Sequence, residues 1–216
     1  MTRPNIIKII CHDIGKHLGC YGIKSVNTNS IDNLAKEGIL FNNAFATSPG
    51  CSPSRAAIAT GRYPHNTGVL GLAHAHFGWS LDKKIKHIAK YFSSNDYNSI
   101  LFGLQHVTYH EETLGFKKIF PERPADHVIK NIEDNIDTIF FKKPFYAEVN
   151  FFEPHRPFDF GGVKSYRSKG VFIPKYIPNN SNIKKEFEAM QGAIKKMDES
   201  VGKIIKILKK NGLYEN

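Results

Sequence analysis

The stretch NIIKIICHD, residues 5–13, begins with β-branched residues and ends in a histidine and an aspartate. A short apolar run that gives way to polar residues is typical of a buried strand followed by a loop. We therefore expect a strand over residues 5–11, with His12 and Asp13 directly after its carboxyl end.

Strand and helix patterns alternate along the rest of the chain. We expect strands over residues 39–45, 97–103 and 144–151, helices over 29–38, 53–61, 82–92 and 125–140, and a long amphipathic helix that includes Phe187 to Leu208. This alternation predicts an α/β fold in which a mainly parallel central sheet is flanked by helices. Ligands of such sheets bind beyond the carboxyl ends of the strands.

Further histidines follow two of the other predicted strands. His106 comes after the strand that contains SILFG, and His155 comes after the strand that contains YAEVNF. If the sheet is parallel, these strand ends share one edge with the end that precedes His12 and Asp13. A lone histidine is more often structural than functional, so the shared location is what favours a functional site here.

The stretch SPGCSPSRAAIATGRYPHNTGV, residues 48–69, places a cysteine at the start of a predicted helix. Pro53 is tolerated in a first helical turn, and Gly61 ends the helical pattern. Cys51 is open to two interpretations: a small buried apolar side chain, or a nucleophile whose thiolate is stabilised by the helix N-terminus and Arg55. Backbone N–H groups at a helix N-terminus also bind anions. Together these features suggest a site that attacks or holds an anionic group.

The composition limits the classes of partner. Thirty Lys and Arg against 20 Asp and Glu give a formal charge of +10, which could attract polyanions. Most of the lysines fall in segments of helical period, and no nucleic-acid motif accompanies them. We therefore interpret them as solvated helix faces and expect no nucleic-acid partner.

The three cysteines, Cys11, Cys20 and Cys51, predict neither a disulfide framework nor a zinc site.

The sequence contains no recognisable targeting or membrane segment. The apolar run near the N-terminus is too short for a signal peptide, and no stretch approaches the roughly 20 apolar residues of a membrane span. As written, the chain is expected to be cytoplasmic with no membrane partner, and export stays open if the N-terminus is incomplete.

The motif CSPSR at residues 51–55, followed by ATGR at 59–62, resembles the sulfatase signature Cys-x-Pro-Ser-Arg with its downstream Thr-Gly-Arg. In that family a formylglycine-generating enzyme oxidises the cysteine to an aldehyde, formylglycine, and the motif is its recognition sequence. The resemblance covers essentially the whole chain. The segments GVLGLAHAHF, FGLQHV and FFEPHRPF are most similar to the N-sulfoglucosamine sulfohydrolase branch.

This resemblance implies an alkaline phosphatase-like α/β fold and a hydrolase of sulfuric esters or sulfamates that acts on sulfated or N-sulfated carbohydrates. Cys51 would become the formylglycine, and Arg55 would hold the hydrated aldehyde. His106 and His155 would contact the sulfate or protonate the leaving group. An imidazole, which titrates near neutral pH, suits a sulfamate because an amine departs easily only when protonated.

The resemblance also implies a divalent metal, calcium in the family, held here by His12, Asp13 and the modified Cys51. His12 stands where most members have an aspartate, so an imidazole replaces a hard oxygen donor. Leu104 stands where a sulfate-binding lysine is usual, and Ala59 departs from the residue usual before Thr-Gly.

Members of the family are commonly about twice as long as this chain. We therefore expect residues 1–216 to be the N-terminal portion of a sulfatase catalytic domain, with the C-terminal part of the fold and its metal ligands absent. A non-catalytic truncated remnant is one alternative, and a phosphate or phosphonate ester hydrolase of the same superfamily is another. The CSPSR motif favours sulfate over the last, since a formylglycine sequence would otherwise be unnecessary.

Overall fold

Four parallel strands form the sheet of the described chain. The structure, a computed structural model, describes residues 3–74, 76, 78–139 and 144–215. The strands are β1 (Ile6–Ile10), β2 (Asn98–Gly103), β3 (Lys118–Phe120) and β4 (Phe145–Asn150). Their order across the sheet is β1-β4-β2-β3, and all three pairings are parallel. The predicted mainly parallel α/β sheet is confirmed.

The α-helices within the described ranges are α1 (Asn29–Glu37), α2 (Cys51–Thr60), α3 (Ile88–Ser94), α4 (Ala125–Ile139) and α5 (Ser181–Lys210). The long final helix is confirmed, since α5 buries Ile194, Met197 and Val201 at the predicted spacing. Phe140, which the sequence pattern included in α4, lies outside the described residues.

Three strands end at the same edge of the sheet. Ile10 at the end of β1 pairs in register with Asn150 at the end of β4. Gly103 at the end of β2 pairs with the same Asn150 from the other side. The shared edge of strand ends that the sequence predicted is therefore present.

Two parts of the secondary-structure prediction were wrong. Residues 39–45 form no strand, and Ile39, Phe41 and Phe45 are exposed. Their alternation suits a strand, but a strand also needs a hydrogen-bonding neighbour, and no described strand pairs with this segment. The helix expected over residues 82–92 begins only at Ile88, because His87 acts as its N-cap and accepts a hydrogen bond at Nδ1 from Ala89 N.

The short strand β3 was not predicted from the sequence. It spans three residues and pairs with Ile100, Leu101 and Phe102 of β2. Three residues are too few for an alternating pattern to emerge, so only the neighbouring strand defines this one.

The chain divides into two compact units. Unit 1 consists of Met1–Ile10, Asn43–Glu122 and Asp134–Asn150, and it contains the sheet with α2 and α3. Unit 2 consists of Cys11–Asn42, Arg123–Glu133 and Phe151–Asn216, and it contains α1 and α5.

A buried polar cluster in unit 1 surrounds Glu148 on β4. Its carboxylate lies 2.6 Å from Lys8 Nζ and accepts hydrogen bonds from Tyr146 Oη at 2.8 Å and Asn150 Nδ2 at 3.0 Å. Burial raises the pKa of Glu148, but the positive charge of Lys8, together with that of His87 when its ring is protonated, outweighs that effect and lowers the pKa overall. The same burial lowers the pKa of His87 to about 4.

Helix α5 anchors α1 in unit 2. Both oxygens of the Asp198 carboxylate accept hydrogen bonds from the first turn of α1, from Ser30 N at 3.1 Å and from Ile31 N at 2.8 Å. Gly202, one turn further along α5, allows the close approach, since a Cβ there would come within 2.5 Å of Ser30 Oγ. The α1 cap is therefore supplied by a distant carboxylate.

Among the described helices, none combines the length and the apolar character that crossing a membrane requires.

Candidate functional site

Cys51, expected at the entrance of a helix over residues 53–61, is the first residue of α2, which begins two residues earlier than predicted. Gly50 is the N-cap, with extended backbone angles of φ −83° and ψ 140°, and its carbonyl accepts the first intrahelical bond from Ser54 N at 3.0 Å. Pro53 in the first turn has no N–H, so the first-turn donors nearest Cys51 are its own N–H and that of Ser52. The side chain of Cys51 is half-buried at this helix terminus, where an anion is favoured.

Arg55 lies one turn into α2 and is only 5% exposed. Its Nη1 donates to the backbone carbonyl of Leu104 at 3.2 Å, in the loop that follows β2. A planar guanidinium held in this way has a fixed orientation. The backbone of Leu104 thus helps to orient Arg55, although its side chain cannot supply the charge of the lysine expected there.

The loop after β2 positions His106. The Gln105 side chain accepts hydrogen bonds from Val107 N at 2.6 Å and Thr108 N at 3.1 Å, and it donates to the Thr108 carbonyl at 2.6 Å. His106 has a left-handed φ of 61° and is buried. Non-glycine residues in this conformation are uncommon and cluster at functional sites.

His74 contacts His106, a relationship that the sequence analysis missed. The two rings stack with centroids 4.4 Å apart, and His74 Nδ1 is hydrogen-bonded to His106 Nε2. The loop that carries His74 is tied to the start of α2, because Ala73 N donates to Ser52 Oγ at 3.1 Å. His74 fell within the quoted segment GVLGLAHAHF, but no spacing rule connects it to His106, 32 residues away. Ala75 and Phe77 of that segment lie outside the described residues.

A second group of candidate residues lies in unit 2. His12, Asp13 and His155 each offer a ligand atom, and these atoms all lie within 4.8 Å of one another. His155 Nε2 lies 3.8 Å from Asp13 Oδ2, and the His12 and His155 rings meet edge to face at 5.1 Å. His12 is buried, whereas Asp13 and His155 are partly exposed. Asp13 has a left-handed φ of 45°, so its backbone lies in the same unusual region as that of His106.

Glu153 positions the segments that carry this second group, and the sequence analysis did not identify it. Its Oε1 accepts a hydrogen bond from Ala125 N at the start of α4, at 3.0 Å. Its backbone carbonyl accepts a bond from His12 N at 3.4 Å. Burial raises the pKa of Glu153. One residue therefore links the loop after β1, the start of α4 and the segment that leads to His155.

The second group does not fit calcium. Calcium in proteins takes about six to eight oxygen ligands, whereas this cluster offers two imidazoles and one carboxylate. The expectation of calcium came from the resemblance, which named His12, Asp13 and Cys51 as ligands, and His12 replaces one of the oxygen donors usual in the family. We therefore derive no catalytic step through calcium.

The structure brings together two sets of candidate residues, one within each unit. Cys51, Arg55 and His106 belong to unit 1, and His12, Asp13 and His155 belong to unit 2. The roles assigned to these residues, including that of Cys51 as a metal ligand, remain predictions.

Comparison with known proteins identifies the family. The model of the family described as "Sulfatase" matches residues 4–139 of the chain. The chain belongs to the sulfatase family, and the recognition made from CSPSR and ATGR is confirmed.

Two curated relatives illustrate the similarity. The human N-sulphoglucosamine sulphohydrolase is 25% identical over 249 residues, which cover 100% of this chain and 49% of that protein. An ulvan-active sulfatase of Formosa agariphila is 25% identical over 268 residues, which cover 99% of this chain and 42% of that protein. The chain spans about half the length of the curated relatives it matches.

A solved structure shows the same fold. The phosphonate monoester hydrolase of Agrobacterium radiobacter superposes with a TM-score of 0.75 at 19% identity, covering 98% of this chain and 60% of that one. Solved structures of sulfatases also match nearly the whole chain while covering about 57 to 60% of their own length. The expected alkaline phosphatase-like fold, present here as its N-terminal part, is confirmed. Because that hydrolase is named for phosphonate esters, the fold alone does not select the substrate.

Proposed function

We propose that this chain is the catalytic N-terminal portion of a formylglycine-dependent sulfatase that hydrolyses sulfate esters or sulfamates of sulfated carbohydrates. The observation that supports this most directly is the position of Cys51 at the first residue of α2, with the buried Arg55 one turn further on. The motif around Cys51 supplies the recognition sequence for conversion to formylglycine. The helix terminus and the guanidinium then favour an anionic substrate at the same place.

The reaction begins with the hydrated aldehyde at position 51. Water adds to the aldehyde to give two geminal hydroxyls. One hydroxyl oxygen attacks the sulfur, and the bond from sulfur to the alcohol or amine of the sugar breaks. The second hydroxyl then loses its proton, the aldehyde C=O reforms, and the bond between carbon and the sulfate oxygen breaks to release sulfate. A serine could attack in the same way but has no second hydroxyl with which to expel the product.

His106 supplies the proton that the leaving group takes up. Its hydrogen bond to His74 requires one of the two nitrogens to donate and the other to accept, so the tautomer of His106 is coupled to that of His74. His155 is assigned by the resemblance to sulfate contact or proton transfer. Arg55, held in place by its hydrogen bond to the Leu104 carbonyl, holds the hydrate.

The relatives support a carbohydrate substrate. Their names include an ulvan-active sulfatase and an N-sulphoglucosamine sulphohydrolase, which act on sulfated sugars by name. The alternative of a phosphonate ester hydrolase rests on shared fold alone. The alternative of a non-catalytic remnant predicts anion binding without turnover.

Conversion of Cys51 is the first test. The chain is co-expressed with a formylglycine-generating enzyme, and the peptide that contains residue 51 is examined by mass spectrometry. Replacement of the thiol by an aldehyde lowers the peptide mass by about 18 Da. The variant Cys51→Ala is the control and should keep its unmodified mass. An unmodified thiol in the wild-type chain would contradict the proposal.

Turnover is the second test. The converted chain is assayed on N-sulfoglucosamine, on an aryl sulfate and on an aryl phosphonate monoester, with Cys51→Ala as the blank. Release of sulfate above the blank supports the proposal, and preferential cleavage of the phosphonate overturns it in favour of the other ester class. Binding of sulfate without turnover on any substrate would favour the non-catalytic alternative.

A further inference from the structure

We propose that His12, Asp13 and His155 form a binding site for a divalent transition metal of the zinc type, with His155 Nε2 as a ligand. The proposal does not rest on the function proposed for Cys51, because all three residues belong to unit 2. It replaces the calcium expected from the resemblance and gives His155 a role other than proton transfer.

The tautomer of His155 is the first observation. A carbonyl oxygen can only accept, so the hydrogen bond between His155 Nδ1 and the Arg156 carbonyl places the ring proton on Nδ1. In a neutral ring the lone pair is then on Nε2, which faces the Asp13 carboxylate at 3.8 Å. Two acceptors that face each other at this distance are stabilised by a proton, a bridging water or a metal ion between them. Metal-binding histidines commonly donate their other N–H to a backbone carbonyl in this way.

The third ligand distinguishes a metal from a proton. A proton on Nε2 would explain the approach of His155 to Asp13 as an ion pair. The cluster also contains the buried His12, whose ring packs edge-on against His155 and whose ligand atom lies within 4.8 Å of those of Asp13 and His155. Two imidazoles and one carboxylate form a donor set used by catalytic zinc sites and by non-haem iron sites.

The distances suit a small metal ion. Ligand bonds of about 2.0 to 2.2 Å in a tetrahedron place the ligand atoms about 3.3 to 3.6 Å apart. The observed separation of 3.8 Å between His155 and Asp13 is close to this value, and the full cluster lies within 4.8 Å. A contraction of about 1.5 Å at most is needed, which rotation of the partly exposed Asp13 and His155 side chains can supply.

The surroundings favour metal binding over a mobile surface cluster. Glu153 accepts from His12 N through its carbonyl and is itself bonded to the start of α4, so the His12 backbone is held in place. Phe152 packs against both imidazoles, with ring centroids 5.9 Å from His12 and 4.8 Å from His155. An apolar wall of this kind limits access of water to the ligands.

Metal titration of the full chain tests the proposal. The chain is expressed without the formylglycine-generating enzyme and freed of metal by chelation. Zinc and calcium are then titrated separately by calorimetry, and zinc affinity is measured again against a chromophoric chelator. We expect one zinc per chain and much weaker binding of calcium. His12→Ala and His155→Ala should each lower zinc affinity at least about 100-fold, since loss of second-shell partners alone costs about 10- to 100-fold.

A matched control is His110→Ala. His110 Nδ1 lies 3.5 Å from Glu112 Oε1, which gives a histidine and carboxylate pair in unit 1 whose two side chains are both well exposed. This variant should bind zinc as the wild type does. Tighter binding of calcium than of zinc, or equal loss of zinc affinity in His110→Ala and His155→Ala, would overturn the proposal.

A second variant excludes loss of binding through misfolding. His155→Cys places a thiolate at the proposed ligand position, and cobalt(II) bound there should give a sulfur-to-metal charge-transfer absorption that the wild-type chain lacks. Misfolding cannot produce this new band specifically at position 155, and a His110→Cys variant serves as its control. Absence of the band in His155→Cys, or equal bands in both variants, would count against His155 as a ligand. Residue 51 stays a cysteine in all of these metal-binding measurements. A negative result for zinc therefore does not test the proposed sulfatase chemistry, and a chain without sulfatase activity does not test the zinc site.

Discussion

Arg55 on α2 donates from Nη1 to the backbone carbonyl of Leu104 at 3.2 Å. The contact joins the helix that begins with Cys51 to the loop after β2, within unit 1. Because it uses the backbone of Leu104, it does not depend on which side chain stands at that position. Position 104 can therefore be changed without removing this anchor of Arg55.

Restoring a positive charge at position 104 should strengthen sulfate binding. In Leu104→Lys the ammonium group would add a charge-assisted hydrogen bond to the anion. We expect the dissociation constant for inorganic sulfate, measured by calorimetry, to fall about tenfold, since such a bond contributes about 1.5 to 3 kcal/mol. Leu104→Met, which has similar volume and no charge, should bind as the wild type does. Equal affinities in the two variants would show that position 104 does not face the anion.

Removal of His74 should alter proton transfer by His106. In His74→Ala the hydrogen bond that couples the His106 tautomer to a second imidazole is lost, so kcat of the converted chain should fall about 10- to 100-fold, less than the full contribution of a general acid. The pH profile of kcat should also shift, which a purely structural loss would not cause. His74→Asn, whose amide can donate or accept, should recover part of the activity. His65→Ala, an exposed histidine of the same unit, is the control, and an equal effect there would contradict the assignment.

Protonation of His87 should destabilise the protein below neutral pH. Its pKa is 6.5 in the unfolded chain and about 4 in the folded one, because burial disfavours the charged ring. Between these values the unfolded chain binds more protons, so the stability present above pH 6.5 is lost as the pH falls towards 4. The loss should amount to about 3 kcal/mol, at about 1.4 kcal/mol for each tenfold change in the dissociation constant. Urea unfolding at pH 7.5 and about pH 4.5 measures it.

The variant His87→Asn isolates this effect. Asparagine can still accept the hydrogen bond from Ala89 N as an N-cap, but it does not titrate. Between pH 7.5 and about pH 4.5 the free energy of unfolding of His87→Asn should fall by about 3 kcal/mol less than that of the wild type. His110→Asn at an exposed site should keep the wild-type dependence, and a wild-type slope in His87→Asn would refute the assignment.

Loss of the Asp198 carboxylate should destabilise unit 2. In Asp198→Ala the N–H groups of Ser30 and Ile31 lose their acceptors, and removal of an N-terminal cap costs about 0.5 to 2 kcal/mol. The free energy of unfolding in urea measures this cost. Glu199→Gln changes the next residue of α5, whose exposed carboxylate pairs with Lys195, and should change stability by less than about 0.5 kcal/mol. Equal effects of the two substitutions would contradict the capping role.

Much of the fold could be predicted because local patterns are strong. Short apolar runs predicted β1, β2 and β4 to within about two residues. The spacing of Ile194, Met197 and Val201 predicted α5. The strand predicted over residues 39–45 is absent for a physical reason. Alternating apolar residues favour extended backbone, but a strand forms only when a neighbour accepts and donates its hydrogen bonds.

The candidate site was predictable only in part. Cys51 and Arg55 are four residues apart in one motif, so a helical turn already places them near each other. Glu153 and His74 were missed, because their partners Ala125 and His106 are 28 and 32 residues away, with no periodic relation to them.

The alternation of strands and helices, the helix start at the CSPSR motif and membership of the sulfatase family could all be read from the amino-acid sequence. These features depend on neighbouring residues, whose spacing and backbone preferences act locally. Three relationships emerged only once the chain was folded: the hydrogen bond between His74 and His106, the capping of α1 by Asp198, and the approach of His155 Nε2 to Asp13. They join residues distant in sequence, and packing of the chain, rather than any local preference, brings these residues together.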